Sequence, residues 1–227
     1  LYYIPEQYPE IADIIRRCMS LGFTSFILAD PALMEYLNEQ KIICEIHLSG
    51  EIGEVNSRML SVFRKYPVQR LIFHRKNSFS DMESVVKHGK NPGDKAGKRE
   101  RVITEYEAFV MNELCHFSGA FCNSLHCDEL GYLCRVPYRL GQEADCPGKQ
   151  KRFTEEIPER LPYDEEGYLC GATGCGLCAL YQLQRAGITH LKLVGRGNYT
   201  DYMEKDIRNL RMALNILKES ADEMEFR

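Results

Sequence analysis

The sequence lacks the features that direct a chain into or across a membrane. It contains no run of 18 or more apolar residues, so no membrane span is predicted. Its start, Leu1 to Pro5, has no basic stretch, apolar run or small-residue cleavage site of a signal peptide. We therefore expect a cytoplasmic protein that has no membrane partner.

A strong net charge is also absent. The 29 Lys and Arg residues nearly balance the 33 Asp and Glu residues, so the chain has no global attraction to nucleic acid. Only residues 87–101 are locally basic, with six Lys or Arg against two Asp or Glu. This stretch is interpreted either as a solvated loop or as a loop that contacts RNA phosphates. The composition does not specify an oligomeric state.

The common hydrolase motifs are missing as well. The sequence has neither Gly-x-Ser-x-Gly nor His-Glu-x-x-His, and His116 beside Cys115 is interpreted as flanking a ligand rather than activating a nucleophile. The remaining hydrolytic candidate is a carboxylate pair made by Glu51 with Glu107 or Glu113 at strand ends. Any hydrolytic chemistry would therefore depend on these carboxylates.

Short β-rich runs alternate with amphipathic helical runs along the chain, which indicates a parallel α/β fold with right-handed crossovers. Five strands are predicted, with a candidate remnant of another at residues 1–4, whereas a complete βα-barrel has eight. We predict one domain over residues 1–227, either an open sheet or, preferably, a partial TIM-like βα-barrel without its first strands. The predicted strands are 24–29, 42–48, 69–74, 106–111 and 190–194, and the predicted helices are 9–21, 31–39, 54–66, 80–87 and 200–220.

Cysteine is the residue with the most uneven distribution. Eight of the ten cysteines fall between residues 115 and 178, where an even spread would place about three. Without a signal for secretion, a metal or cluster explains this better than disulfides do. We therefore predict that residues 112–178 form a cysteine-rich, cluster-binding region, whose cysteines are Cys115, Cys122, Cys127, Cys134, Cys146, Cys170, Cys175 and Cys178.

The spacing of these cysteines favours an iron–sulfur cluster over zinc. Clusters are normally held by four thiolates, which suit iron. Structural zinc usually uses two short Cys-x2-4-Cys pairs, and the candidate pairs here are Cys175 with Cys178 and Cys122 with Cys127. A zinc site therefore remains the alternative, and a second metal remains open as well.

Four segments resemble the motifs of the collagenase-like peptidase U32 family. Residues 107–122 contain Glu-x-Phe followed by two cysteines with six residues between them. Residues 134–138 read Cys-Arg-Val-Pro-Tyr, and residues 192–196 read Lys-Leu-Val-Gly-Arg. Residues 46–56 resemble a further strand-end motif of the family. The segments occur in the order of the family and span nearly the whole chain.

The resemblance implies a βα-barrel and one of two activities. Some members are described as proteases, and others are oxygen-independent hydroxylases that carry a 4Fe–4S cluster. The hydroxylases act on RNA or on ubiquinone precursors and use prephenate as the oxygen donor. Carried over by position, the cluster ligands are Cys115, Cys122, Cys134 and Cys175, with Cys127 and Cys178 as alternates.

Cationic residues at predicted strand ends or cluster loops form a candidate anion site, because guanidinium groups bind carboxylates bidentately. They are Arg75, Arg135, Lys192 and Arg196. Tyr138 is a candidate for stacking on an aromatic substrate. We expect a hydroxylase with Glu51, Arg75, Glu107 and Arg196 as active-site residues. The alternatives are a collagenase-like peptidase and a non-catalytic protein with a structural cluster or zinc.

Overall fold

The computed structural model describes residues 3–90, 103–110, 176–193 and 200–227, and these residues form an α/β fold. Five parallel strands, hydrogen-bonded in sequence order, make a sheet that curls into a half-barrel. The predicted partial TIM-like architecture is confirmed at this level. The strands are β1 (Ser25–Leu28), β2 (Glu45–Leu48), β3 (Val68–Ile72), β4 (Glu105–Val110) and β5 (His190–Leu193).

Helices connect the strands and follow the last one. Each predicted strand lies within three residues of an observed strand, and four of the five predicted helices match observed helices closely. The helices are α1 (Tyr8–Ser20), α2 (Pro31–Glu39), α3 (Met59–Phe63), α4 (Phe79–Lys90), α5 (Leu180–Ala186), α6 (Thr200–Glu219) and α7 (Glu223–Phe226), with 3₁₀ turns at Pro5–Gln7, Gly50–Ile52 and Leu177–Ala179.

The helix predicted over residues 54–66 is wrong in its first part, since α3 begins only at Met59. Gly53 has a φ of 109°, which ends the preceding 3₁₀ turn outside helical geometry. The side-chain oxygen of Asn56 accepts hydrogen bonds from the backbone N–H groups of Arg58 and Met59, and such local bonds favour a turn over a helix.

Two further differences concern the ends and short helices of the fold. Tyr3 and Ile4 belong to no strand, so the described part of the predicted remnant at residues 1–4 is wrong. The short helices α5 and α7 were not predicted, although α5 buries Leu180, Leu183 and Ala186. Residues 112–175 of the predicted cysteine-rich region lie outside the described residues, and the single-domain assignment stays a prediction.

The two faces of the sheet differ in chemistry. One face packs its alternating apolar side chains against the helices, as Leu48, Leu71 and Tyr106 do, each fully buried. The other face, called the inner face here, carries mostly polar and charged side chains at the intervening positions, including Glu45, His47, Arg70, Glu105, Glu107, His190 and Lys192. The same face also carries the apolar side chains of Ile27, Ile72 and Phe109.

No helix within the described ranges is long and apolar enough to cross a membrane. The longest, α6, spans 20 residues but interleaves charged residues with its apolar ones, in keeping with a helix that packs one face on the core.

The left-handed backbone conformation at the end of α2 can be tested by substitution. Lys41 has a φ of 55°, and the bonds from Ile42 N–H to Leu37 C=O and from Lys41 N–H to Asn38 C=O form a Schellman motif. Replacing Lys41 with Gly should raise the free energy of unfolding by about 1 kcal/mol, because Gly carries no Cβ penalty there. Urea unfolding measures this. Lys41→Ala is the control, and an equal gain from that variant would contradict the backbone explanation.

Candidate active site

The predicted strand-end residues meet at one edge of the sheet. All five strands are parallel, so their carboxyl ends lie together, as in βα-barrel enzymes. Glu51 lies in the 3₁₀ turn after β2, and Arg75 lies three residues after β3. Phe109 is the next-to-last residue of β4. Phe109 pairs in register with Lys192 of β5. The sheet thus assembles side chains from four strands.

Arg75 is the centre of this group. Its Nη1 atom lies 3.1 Å from Oε1 of Glu51, in a half-buried ion pair. Its guanidinium carbon lies 4.1 Å from the centroid of the Phe109 ring, and Nζ of Lys192 lies 5.3 Å from the same centroid. Two cations therefore contact one aromatic ring, an arrangement that keeps both charges at the edge of the inner face.

One donor of Arg75 has no protein acceptor. Its Nε atom is buried and makes no hydrogen bond within the part of the chain that the structure describes. A buried N–H without an acceptor costs about 1–3 kcal/mol, so such groups are usually satisfied by a ligand or water. Arg75 therefore has a donor available for an oxygen atom of a ligand, in addition to the nitrogen that holds Glu51.

Glu107 lies deeper on the inner face and belongs to a second ion-pair group. Nη1 of Arg70 lies 2.9 Å from Oε2 of Glu107, and Nε of Arg70 lies 2.7 Å from Oε2 of Glu105. Nζ of Lys192 lies 4.0 Å from the other oxygen of Glu107. The Glu107 side chain is only 9% exposed. A carboxylate so buried requires a cation, and Arg70 supplies it.

Charge pairing continues toward the amino end of the strands. The hydrogen bond from Arg70 lowers the pKa of Glu105 from its ordinary value, against the opposing effect of burial. Nε2 of His190 lies 4.0 Å from the same carboxylate, and His47 lies 2.8 Å from Glu45. The inner face therefore carries a ladder of alternating charges beside the apolar side chains of Ile27, Ile72 and Phe109.

These pairs bear on the predicted carboxylate dyad. Glu51 faces Arg75 and Glu107 faces Arg70, so each carboxylate has its own arginine counter-ion. Two carboxylates that share one proton, as in an aspartic peptidase, instead lie close together without such cations. The geometry of Glu51 and Glu107 is thus that of carboxylates that position their arginine partners.

Two loops at this edge are held together by contacts that sequence analysis did not predict. The carboxamide of Asn77 accepts from the N–H of Val55 at 3.3 Å and donates to its C=O at 2.9 Å. A Cβ atom on Gly50 would lie 2.8 Å from the carbonyl oxygen of Phe73, so only glycine fits there. Buried His74 lies in the same loop. In the sequence, a histidine that ends a predicted strand and an asparagine that closely follows it are the signal that could have indicated these loop contacts.

Most of the predicted cluster ligands lie outside the described residues, namely Cys115, Cys122, Cys127, Cys134 and Cys175, as do Arg135, Tyr138 and Arg196. Cys178 is described, and its thiol is exposed in the 3₁₀ turn before α5. The described ranges contain no group of three or more His, Cys, Asp or Glu residues that would hold a metal. The cluster and its ligands therefore stay predictions.

The described ends of the connection from β4 to β5 nevertheless lie on the same side of the sheet. Val110 is the carboxyl end of β4. Three residues separate the end of α5 from the start of β5, so α5 leads toward the amino edge and its start lies toward the carboxyl edge. Val110 and the start of α5 thus lie on the side where Glu51 and Arg75 lie.

Arg70 allows a test of the ion-pair ladder. Arg70→Met should lower the free energy of unfolding by about 2–4 kcal/mol at pH 7, since it leaves two neighbouring carboxylates without a cation. The wild-type pair holds the pKa of Glu105 low, so its contribution is present at neutral pH and disappears as acid protonates the carboxylate. The loss should therefore shrink at pH 4, as measured by urea unfolding.

The control for this comparison is Arg208→Met, which removes an exposed arginine from α6 that pairs with Glu204. It should change stability by less than about 1 kcal/mol at either pH. Equal losses from both variants, or a loss from Arg70→Met that does not depend on pH, would contradict the role assigned to Arg70.

Searches against curated proteins and against solved structures found no match. A family model, that of peptidase family U32, matches residues 1–227, the whole chain. The match includes the motifs at residues 107–122 and 192–196, and Lys192 of the second motif contacts both Glu107 and Phe109 of the first. The chain belongs to peptidase family U32.

Proposed function

We propose that this protein is an iron–sulfur enzyme that hydroxylates RNA or a small aromatic compound without molecular oxygen, with prephenate as the oxygen donor. The observation that carries the proposal is the group formed by Arg75, Phe109 and Lys192 at the carboxyl edge of the sheet. Two cations on one aromatic ring, one with an unused buried donor, suit an anionic ligand.

The proposed role of Arg75 is to bind a carboxylate of the donor. Glu51 occupies Nη1, which fixes the plane of the guanidinium group, and the buried Nε is left to donate to the ligand. Lys192 lies on the same ring at 5.3 Å and contributes a second positive charge. Glu107, which is itself paired with Arg70, holds Lys192 through a 4.0 Å contact. Arg196 is proposed to extend this site.

The proposed cluster fits the donor set of the chain. Four thiolates are the usual ligands of a 4Fe–4S cluster. In the sequence, Cys115 comes five residues after Val110, which ends β4 at the sheet edge that carries Arg75. The candidate ligands are Cys115, Cys122, Cys134 and Cys175, with Cys127 and Cys178 as alternates. When bound, the cluster would supply electron transfer or a Lewis-acidic iron. The remaining chemistry, binding and orienting the anion, belongs to the side chains described above.

The peptidase alternative finds less support in the geometry. Its carboxylate pair would be Glu51 with Glu107 or with Glu113. Glu51 and Glu107 are each bound to an arginine, and Glu113 lies outside the described residues. Cleavage of gelatin by the purified protein, abolished in Glu51→Gln, would favour the peptidase over the hydroxylase. The third alternative, a structural cluster or zinc in a non-catalytic protein, predicts neither gelatin cleavage nor prephenate binding.

Binding of prephenate tests the anion site directly. Arg75→Met should weaken prephenate binding roughly ten- to a hundredfold at pH 7.5, because a charge-assisted hydrogen bond to a carboxylate contributes about 1.5–3 kcal/mol. Titration calorimetry under anaerobic conditions measures the dissociation constant. The apolar Met side chain retains much of the volume that packs on Phe109.

Two further variants make this measurement specific. Arg208→Met removes the same charge from an exposed position on α6 and should leave the affinity unchanged. Lys192→Met should weaken binding less than Arg75→Met, since a lysine contributes a point charge without a bidentate geometry. An affinity of Arg75→Met equal to that of the wild type would refute the proposed anion site.

Replacing Cys115 with Ser tests the cluster assignment. We expect loss of the visible absorbance and of bound iron, because a serine hydroxyl is a poor ligand for cluster iron. Circular dichroism on the same samples decides between the two roles of a cluster. A folded variant that has lost hydroxylation indicates a catalytic cluster, whereas an unfolded variant indicates a cluster that stabilises the fold.

The matched control is Cys18→Ser. Cys18 lies on α1, half-buried and far in sequence from the cysteine-rich region. This variant should retain the iron content and absorbance of the wild type. Equal iron content in both variants would exclude Cys115 as a ligand.

A further inference from the structure

The turn that carries Arg75 is closed by an imidazole ring. The backbone N–H of Asn77 donates to the carbonyl oxygen of His74 at 3.1 Å, so His74 to Asn77 form a four-residue β-turn with Arg75 and Lys76 at its centre. Within the turn, the N–H of Lys76 donates to Nδ1 of His74 at 3.2 Å. The side chain of the first residue therefore fixes the third.

This contact is normally made by a side chain that does not titrate near neutral pH. Asn, Asp and Ser are favoured at the first position of such turns because their oxygen atoms accept the N–H two residues on. Nδ1 of His74 takes that role here, and it accepts only while it carries no proton. The ring is therefore in the neutral form with its proton on Nε2. A protonated ring has N–H groups at both nitrogens and would lose the contact.

The surroundings of His74 keep the ring neutral. The residue is 4% exposed, and burial is the main cause that lowers its pKa from the ordinary value. Of the charged groups around it, Arg75 and Lys76 act in the same direction, whereas Glu51 and Glu54 favour the protonated form. Acidification therefore has to overcome burial before the ring accepts a proton.

The turn is coupled to the anion site through the neighbouring loop. A Cβ atom on Gly50 would lie 3.2 Å from the backbone nitrogen of His74, so the turn that carries Glu51 lies directly against His74. Asn77, the last residue of the β-turn, holds Val55 by two hydrogen bonds. A change of the turn would therefore move Arg75 relative to Glu51.

We propose that His74 is a positioning residue, whose unprotonated Nδ1 holds the turn that directs Arg75 at its ligand, and that protonation of the ring releases this turn. The identity of the ligand rests on the proposed function, whereas the effect on the turn and on Arg75 does not. The consequence is a site whose geometry is intact at neutral pH and is lost in mild acid.

The test measures the turn and the arginine separately from any reaction. Hydrogen exchange gives the protection of the Lys76 amide relative to an unstructured chain, and the Nε–H signal of Arg75 reports its environment, both by NMR between pH 4 and 8. In the wild type, the protection of Lys76 should fall at least tenfold as the His74 ring takes up a proton, with a shift of the Arg75 signal at the same pH. His88→Asn, which changes an exposed histidine, should behave as the wild type does.

Two substitutions at position 74 separate positioning from packing. In His74→Asn the side-chain oxygen can accept the Lys76 N–H at every pH, so protection should persist from pH 8 to pH 4. In His74→Leu the acceptor is absent, so protection should be low throughout. At pH 7.5, His74→Leu should bind prephenate about tenfold more weakly than the wild type, and His74→Asn should bind within about twofold of it.

Protection of Lys76 that does not depend on pH in the wild type, or that keeps its pH dependence in His74→Asn, would overturn the proposal. If His74→Leu fails to fold, the comparison of His74→Asn with the wild type still decides the question. Should no variant bind prephenate while the exchange follows the predicted pattern, the role of His74 is supported and the proposed function fails.

Discussion

Two arginines of one strand and its following loop hold the charges of the inner face in pairs. Arg70 binds Glu105 and Glu107 of the neighbouring strand β4, and Arg75 binds Glu51 from the other side. A carboxylate as buried as that of Glu107 is tolerated only beside a cation. The fold therefore depends on these ion pairs. They also decide which groups at the sheet edge remain available for a ligand.

The same pairs connect the fold to the proposed chemistry. Because all strands run in one direction, the loops after β2 and β3 lie side by side, and the contacts of Gly50 and Asn77 hold them there. Both candidate carboxylates are bound to arginines, and the cationic part of the site consists of Arg75 and Lys192 over the Phe109 ring. This arrangement suits the binding of an anion better than the activation of water by two carboxylates.

Much of the fold follows from local sequence, and the details of the site do not. Short apolar runs bounded by polar residues indicated each strand, and parallel topology then placed Glu51 and Arg75 at one edge. The helix predicted from residue 54 was wrong because the Asn56 side chain accepts hydrogen bonds from the backbone N–H groups of Arg58 and Met59, which apolar periodicity does not report. The roles of Arg70, His74 and Asn77 depend on partners 22 to 37 residues away or on turn geometry. Patterns within a short stretch of sequence do not show which distant residues will form such contacts.

The eight clustered cysteines remain the strongest signal in the sequence, and an iron–sulfur cluster is the part of the proposed function on which the hydroxylase depends. Anaerobic purification with an absorbance spectrum, followed by assays of iron, acid-labile sulfide and zinc, tests it most directly. A 4Fe–4S cluster predicts a brown protein with about four irons and about four sulfides per chain. A colourless protein with about one zinc per chain would contradict the cluster and the hydroxylation proposed from it.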